Sequence, residues 1–254
     1  MPHSQIIVSE SKDELIANLV LFMTAKLSQK PQDRKFLIGL SGGSMPAILC
    51  SVFSQLSGID WSSVHFIFCD ERLVPPTDPE STFAAYQKDL IGKIPGITEA
   101  QFSQIQYSLP VDKCAQDYEQ QLRNLGARTG SDGWPRFDLL LLGLGPDGHT
   151  CSLFPGHPLL KENTCWVAPI SGSPKPPSAR VTLTLPALHA AKTVAFITTG
   201  AGKSDVIKNI LEDRDTSLLP GALVDKGRDL TYWFLDSGSA ERLTRASVQN
   251  KFTE

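Results

Sequence analysis

Apolar side chains along this chain cluster into short, nearly continuous runs instead of alternating strictly with polar ones. Each run has the length of a single β-strand. Such runs are typical of strands that are buried on both faces, as in a parallel sheet covered by helices. The runs lie at residues 35–40, 64–69, 137–144, 193–199 and 232–235.

The segments between these runs carry apolar residues at helical spacing. They predict helices over residues 12–27, 113–125 and 204–212. Ser11 and Glu14 form a capping-box pattern at the start of the first helix, and Gly126 is a typical stop for the second. The repeated order of strand and helix predicts an α/β fold, a doubly wound and mostly parallel sheet with helices on both faces.

The length of 254 residues suits one domain spanning residues 1–254, with room for a small insertion within residues 75–135. The Pro-rich stretch at 171–180 is interpreted as a surface loop, because a strand pattern follows it at once.

Charge and cysteine content exclude several classes of partner. A net charge of −3 and a pI near 6.0 provide no basic surface for nucleic acid or an anionic membrane. No secretory leader is recognised, and no apolar run approaches the roughly 20 residues of a membrane helix. The five cysteines are scattered without a C-x-x-C pair, so neither a zinc site nor a redox motif is predicted. We expect a reduced, cytoplasmic protein without metal or other cofactor; the sequence does not determine its oligomeric state, although a monomer is favoured.

Glycine follows the first apolar run in the segment "SGGSMP", residues 41–46. Gly42 and Gly43 allow backbone amides to approach a ligand, and Ser44 adds a hydroxyl at the start of a helical pattern. This arrangement favours a phosphate at a helix N-terminus. The alternative is an ordinary turn in which the serine caps the helix.

Two further segments place charged side chains after strands. "FCDERLVP" (68–75) offers Asp70 and Arg72, and the guanidinium of Arg72 suits phosphate or carboxylate. "TGAGKSDV" (199–206) offers Lys203 between glycine and a helix start. The alternative to ligand binding is a solvated loop with a local ion pair for the first segment. For the second segment it is a capped turn with Lys203 in solvent.

The longest apolar run ends in "GLGPDGHT", residues 143–150. His149 is the strongest candidate for proton transfer, because an imidazole exchanges protons near neutral pH. Asp147 can orient it or hydrogen-bond a substrate. A helix beginning at His149 would further disfavour the imidazolium; a loop histidine without a catalytic role is the alternative. In open parallel sheets, ligands bind at the carboxyl ends of the strands. All four segments follow predicted strands, so together they favour a phosphorylated substrate and proton-transfer chemistry.

Four segments in their order along the chain resemble the glucosamine-6-phosphate isomerase/6-phosphogluconolactonase family. These are "LSGGSMP", "FCDERLVP…ESTFAAY", "LLLLGLGPDGHTCSLFPGHP" and "RVTLTLPAL…TTGAGKSDV". The resemblance implies a Rossmann-like sheet and hydrolysis of 6-phospho-D-glucono-1,5-lactone, without nucleotide or metal. A glucosamine-6-phosphate deaminase, whose similar turn is expected to continue differently after "GPDGH", and a non-catalytic sugar-phosphate sensor remain alternatives.

The resemblance also implies roles for individual residues. The phosphate would lie on the Gly42–Ser44 loop, Arg72 and Lys203, with Arg180 as a further anion contact. His149 would be the general base, with Asp147 beside it. For Asp70 two roles stay open, binding of a sugar hydroxyl and orientation of Arg72.

Overall fold

The computed structural model describes residues 3–126, 129–213, 219–244 and 248–253. Strands and helices alternate along most of these ranges. The strands are β1 (His3–Ser9), β2 (Phe36–Leu40), β3 (Val64–Phe68), β4 (Asp70–Arg72), β5 (Leu139–Leu142), β6 (Val167–Ile170), β7 (Arg180–Leu183), β8 (Thr193–Thr198), β9 (Leu230–Asp236) and β10 (Val248–Gln249). The helices are α1 (Lys12–Ser28), α2 (Met45–Phe53), α3 (Thr82–Asp89), α4 (Val111–Asn124), α5 (Leu185–Ala190), α6 (Ser204–Lys208) and α7 (Pro220–Lys226).

Seven of these strands form the main sheet, in the order β10-β1-β9-β8-β5-β2-β3, and every pair is parallel. All five predicted apolar runs are strands of this sheet, so that prediction is confirmed. The sequence pattern missed β1, whose three central apolar residues are flanked by polar ones, and the two-residue β10.

Helices cover both faces of the sheet. Alternate residues of the central strands point into two separate apolar layers, Leu140 and Leu142 into one and Leu139 and Leu141 into the other. The layer containing Leu139 also holds the apolar faces of α1, α2 and α3, and the other holds those of α4 to α7. The doubly wound architecture is therefore confirmed.

The predicted helix boundaries also hold in most places. Ser11 caps α1 by accepting a hydrogen bond from the amide of Glu14, at 3.2 Å. Gly126 follows α4 with a φ of +71°, the left-handed conformation that ends many helices. The segment predicted as a helix over 204–212 is the short α6 followed by a π-helical turn, Asn209–Asp213. Among the helices described, none combines the length and apolar character needed to cross a membrane.

A second, three-stranded antiparallel sheet in the order β4-β7-β6 was not predicted. The charged segment 70–72, which follows the second apolar run, is strand β4 of this sheet. Only Cys69 separates it from β3, and the amide of Leu183 donates to the carbonyl of Cys69 at 2.8 Å. The register places Arg72 directly opposite Arg180. Two arginines more than a hundred positions apart in the chain are thereby neighbours.

Candidate active site

A cleft of about 150 Å³ opens at the carboxyl edge of the main sheet, where the segments after β2, β3, β5 and β8 meet. These strands are adjacent, so their following segments converge. Eight of the nine predicted site residues line the cleft, namely Gly42, Gly43, Ser44, Asp70, Arg72, His149, Arg180 and Lys203. The ninth, Asp147, contacts His149.

The glycine loop connects β2 to α2. Gly43 has a φ of +72°, which favours glycine, and a Cβ there would meet no atom within 4 Å. Ser44 is the N-cap residue, but its side chain makes no capping hydrogen bond. Among the described residues, no acceptor receives the amides of Gly42, Gly43 or Ser44. These amides are available to an anion at the start of α2.

Arg72 and Lys203 add positive charge to the same cleft. Arg72 Nη1 donates to the carbonyl oxygen of Glu80 at 2.7 Å, and its buried Nε has no partner within the described residues. The ammonium of Lys203 makes no hydrogen bond or ion pair in the described part of the chain. Burial lowers the pKa of Lys203, although Asp236 opposes this effect. Both side chains therefore have donors free for a ligand.

Two hydroxyl groups next to the glycine loop are also buried, without hydrogen-bond partners among the described residues. They are Ser41 Oγ, which lines the cleft, and Thr82 Oγ1 on α3. A Cβ added to Gly42 would lie 3.2 Å from Thr82 Oγ1, so glycine leaves that hydroxyl next to the backbone of the loop. The segment "SGGSMP", which the sequence predicts to bind phosphate, is thus surrounded by polar groups that have no hydrogen-bond partner among the described residues.

The Asp147–His149 pair is built by the turn that follows β5. The amide of Gly145 donates to the carbonyl of His149 at 2.8 Å, and Gly148 adopts a φ of +81°. His149 Nδ1 contacts Asp147 Oδ1, while the imidazole stacks on Phe154 with ring centroids 4.9 Å apart. A Cβ at Gly145 would overlap both polar side chains. Glycine at 145 is therefore required by the pair itself.

The electrostatics of this pair favour an ionised carboxylate and a neutral imidazole. Burial lowers the pKa of His149 and outweighs the raising effect of Asp147; the ammonium of Lys175 lowers it further. Burial would raise the pKa of Asp147, but the contacts to His149 and Lys175 hold it below its ordinary value. An Nδ1–H donated to the carboxylate leaves Nε2 with its lone pair, as a general base requires.

The expected helix at His149 is wrong. His149 lies outside any helix, Cys151 and Ser152 form a turn closed by the bridge between Thr150 and Leu153, and the following short helical segment, a 3₁₀ turn, begins at Pro158. The imidazolium is disfavoured by burial and a neighbouring ammonium, not by a helix N-terminus.

Asp70 belongs to a buried network that sequence reasoning missed. Its carboxylate accepts a hydrogen bond from Ser152 Oγ at 2.7 Å, and Arg180 Nη1 donates to the same hydroxyl at 3.3 Å. Asp70 is thus coupled to Arg180 through Ser152, and no contact with the Arg72 side chain is observed in the described residues. A serine within a turn carries no sequence signal that would distinguish this role.

Lys175 is the second residue that the sequence did not single out. It lies in the Pro-rich segment interpreted as a plain surface loop, yet its Nζ is 3.1 Å from Asp147 Oδ1. Its only sequence signal is an unusual position between prolines. The long-range approach of this loop to the Asp147 turn could not be found from local pattern.

Cys151 also lines the cleft, but its thiol is held in the protonated form. The contact with Cys69 and burial raise the pKa of Cys151 well above its ordinary value. A thiol of this kind is a poor nucleophile. Within the described ranges, no cluster of three or more His, Cys, Asp or Glu residues is arranged to hold a metal ion.

Comparison with known proteins shows the family to which the chain belongs. A family model described as glucosamine-6-phosphate isomerases/6-phosphogluconolactonase matches residues 10–233. The chain belongs to this family. The matched range contains every residue of the cleft described above.

Individual members of the family cover almost the whole chain. The 6-phosphogluconolactonase of Homo sapiens is 49% identical over 214 residues, which are 83% of this chain and 81% of the human protein. That of Bos taurus is 45% identical over 245 residues, 94% of this chain and 93% of the bovine one. The solved structure of 6-phosphogluconolactonase from Trypanosoma brucei superposes with a TM-score of 0.78 at 26% identity, covering 96% of this chain and 99% of that one.

Proposed function

We propose that this chain hydrolyses 6-phospho-D-glucono-1,5-lactone to 6-phospho-D-gluconate, the second step of the oxidative pentose phosphate pathway. The relatives at 49% and 45% identity, both named 6-phosphogluconolactonase, support the reaction class. The observation that carries the proposal is the Asp147–His149 pair, whose imidazole lines the same cleft as cationic and amide groups with donor hydrogens that no described residue accepts.

The phosphate would bind to the amides of Gly42–Ser44, to Arg72 and to Lys203. All of these donors line one cleft and have hydrogens that no described residue accepts. Four of the five guanidinium N–H groups of Arg180 already meet protein oxygens, so it offers the substrate a single hydrogen. Its part in anion binding is therefore the smallest of the set.

His149 would act as base and then as acid. Nε2 takes a proton from water while the water oxygen forms a bond to the lactone carbonyl carbon, giving a tetrahedral oxyanion. The bond from that carbon to the ring oxygen then breaks, and the imidazolium returns its proton to the departing ring oxygen. The product is the open-chain acid, which ionises in water. These steps use one histidine, with Asp147 stabilising the transient imidazolium.

The amides of Gly145 and Gly148 are engaged within the turn, at 2.8 and 2.9 Å from their acceptors. They therefore do not supply the donors for the oxyanion, and cationic groups lining the cleft are the better candidates. The thiol of Cys151, which stays protonated, has no part in the scheme.

The same proposal includes a cytoplasmic location and residues 1–254 as a single domain, with a small insertion within residues 75–135. All five cysteines are free, as expected for a protein of a reducing compartment. An active monomer is also part of the proposal, because residues of a single chain are sufficient to bring the cationic donors and His149 into one cleft.

The deciding experiment is a lactonase assay with 6-phospho-D-glucono-1,5-lactone, corrected for the uncatalysed hydrolysis. His149→Ala is expected to lower kcat about 100- to 10,000-fold because the proton acceptor is lost, while affinity for 6-phosphogluconate changes little. His157→Ala, a histidine outside the cleft, is the matched control. Near wild-type turnover by His149→Ala would refute the base assignment.

The alternatives give different results in parallel assays of the wild-type protein. A deaminase would release ammonia from glucosamine 6-phosphate. A sensor would bind 6-phosphogluconate without accelerating lactone hydrolysis. Either result would overturn the proposed reaction.

A further inference from the structure

The loop between β6 and β7 carries Lys175 to the Asp147–His149 pair. Lys175 Nζ lies 3.1 Å from Asp147 Oδ1 and 3.2 Å from His149 Nδ1. If Nδ1 donates its hydrogen to Asp147, it cannot also accept one from the ammonium. The short Nζ–Nδ1 distance is then a purely electrostatic contact, and Asp147 is the hydrogen-bond partner of both groups.

Arg180 fixes the backbone of this loop. Its Nε donates to the carbonyl of Pro177 at 3.0 Å, and its Nη2 donates to the carbonyls of Lys175 at 3.0 Å and Pro176 at 2.9 Å. Arg180 is itself only 3% exposed and is anchored through Ser152. A planar guanidinium is suited to bridging several fixed acceptors, which a single ammonium could not do.

The charged groups that face His149 come from three elements. Asp147 lies on its own turn, Lys175 on the β6–β7 loop and Asp70 on β4. The two carboxylates favour the imidazolium, and Lys175 opposes it. The pKa of His149 is nevertheless lowered, with burial as the first cause. Of these three described charges, Lys175 alone acts in the same direction as burial.

We propose that Lys175 is a positioning residue for His149, which holds Asp147 in place and sets a positive charge beside the imidazole, and that Arg180 clamps the loop that carries it. This inference rests on the proposed lactonase function, because it assigns Lys175 to the same general base. Lys175 needs no contact with the substrate in this role.

The direct test is an NMR titration of the His149 imidazole in the intact protein. Lys175→Met is expected to raise the pKa of His149 by about one unit, because an opposing charge within about 4 Å is removed. Lys175→Arg, which keeps the charge, is expected to restore most of the wild-type value. Lys93→Met, which removes an exposed lysine outside the cleft, serves as the control, and His149→Ala identifies the resonance among the five histidines.

The clamp is tested by Arg180→Lys in the same titration. Lysine keeps the charge but cannot bridge the three carbonyls, so the pKa of His149 is expected to move upward, as in Lys175→Met. An unchanged pKa in Arg180→Lys would overturn the clamp, and an unchanged pKa in Lys175→Met would overturn the role of Lys175.

Kinetics supply an independent readout. The acidic limb of the kcat/KM profile is expected to move about one pH unit higher in Lys175→Met, so activity falls about tenfold on that limb, with KM nearly unchanged above it. A large rise in KM at every pH would instead make Lys175 a substrate ligand and contradict the proposal. The titration needs no substrate, so it tests the effect of Lys175 on His149 even if the protein is not a lactonase. Absence of lactonase activity in the wild-type protein would overturn the proposed function and leave the result of the titration unaffected.

Discussion

The part of the cleft proposed to bind phosphate and the Asp147 turn differ in how the hydrogen bonds of their polar groups are satisfied. Around Gly42–Ser44, the loop amides, the Ser41 hydroxyl and the Nε of Arg72 have no partners among the described residues. Around His149, by contrast, Nδ1, the Asp147 carboxylate and the Lys175 ammonium already contact one another.

This difference follows from what each part must do. Unpaired buried donors are costly in the free protein, and an anion with several oxygens satisfies many of them at once. A proton-transfer group must instead be held in one orientation before the substrate arrives, because misplacement by about 1 Å can cost 100-fold in rate. In the proposed function, the phosphate supplies the missing hydrogen-bond partners of the first part, whereas the contacts of the Asp147–His149 pair form without a ligand.

Breaking the preformed pair has the largest expected effect. Gly145→Ala adds a Cβ that overlaps the imidazole of His149 and the carboxylate of Asp147. We expect kcat to fall about 100-fold with KM little changed, measured by steady-state lactone hydrolysis. Gly172→Ala, where a Cβ meets no atom within 4 Å, is the control. Normal kcat in Gly145→Ala would show that the pair tolerates displacement.

Weakening the part of the cleft proposed to bind phosphate should change KM more than kcat, the opposite of the pattern expected for Gly145→Ala. Arg72→Ala removes a charge-assisted contact to phosphate worth about 1.5–3 kcal/mol, so we expect KM to rise about 10- to 150-fold with a smaller change in kcat. Arg242→Ala, at an exposed surface ion pair, provides the comparison. An unaltered KM with the phosphorylated lactone would remove Arg72 from the phosphate site.

The smallest expected effect is that of Glu71, a buried carboxylate that accepts a hydrogen bond from the backbone amide of Arg72. Glu71 accepts hydrogen bonds from the amides of Arg72, Thr82 and Phe83 at 2.7–2.8 Å. Burial nevertheless raises its pKa from 4.5 to about 6. The folded protein therefore binds this proton more tightly than the unfolded chain does.

That difference predicts a pH dependence of stability. The contribution of Glu71 is fully present below about pH 4.5 and is lost as pH rises through about 6, a total of about 2 kcal/mol in the free energy of unfolding. Urea unfolding at several pH values should show this slope in wild type and in the exposed Glu99→Gln control, and not in Glu71→Gln. An equal slope in Glu71→Gln would assign it to other groups.

The sequence was sufficient for features that depend on neighbouring residues. Strands buried on both faces give continuous apolar runs such as 137–144, and the glycine at 43 marks a turn with positive φ. Seven of the eight predicted site residues that line the cleft follow strands of the parallel sheet, which deliver their following segments to the same edge; the eighth, Arg180, lies on β7 of the second sheet.

The second sheet, and the contacts between distant residues that it creates, could be seen only in the tertiary structure. The pairing of Arg72 with Arg180 and the approach of Lys175 to Asp147 join positions that are 108 and 28 residues apart, with no local periodicity to announce them. The lowered pKa of His149 likewise depends on burial and on the Lys175 ammonium, which are set by packing. Local sequence spacing thus identified the candidate site residues. Long-range contacts decided which of these residues already have hydrogen-bond partners within the protein.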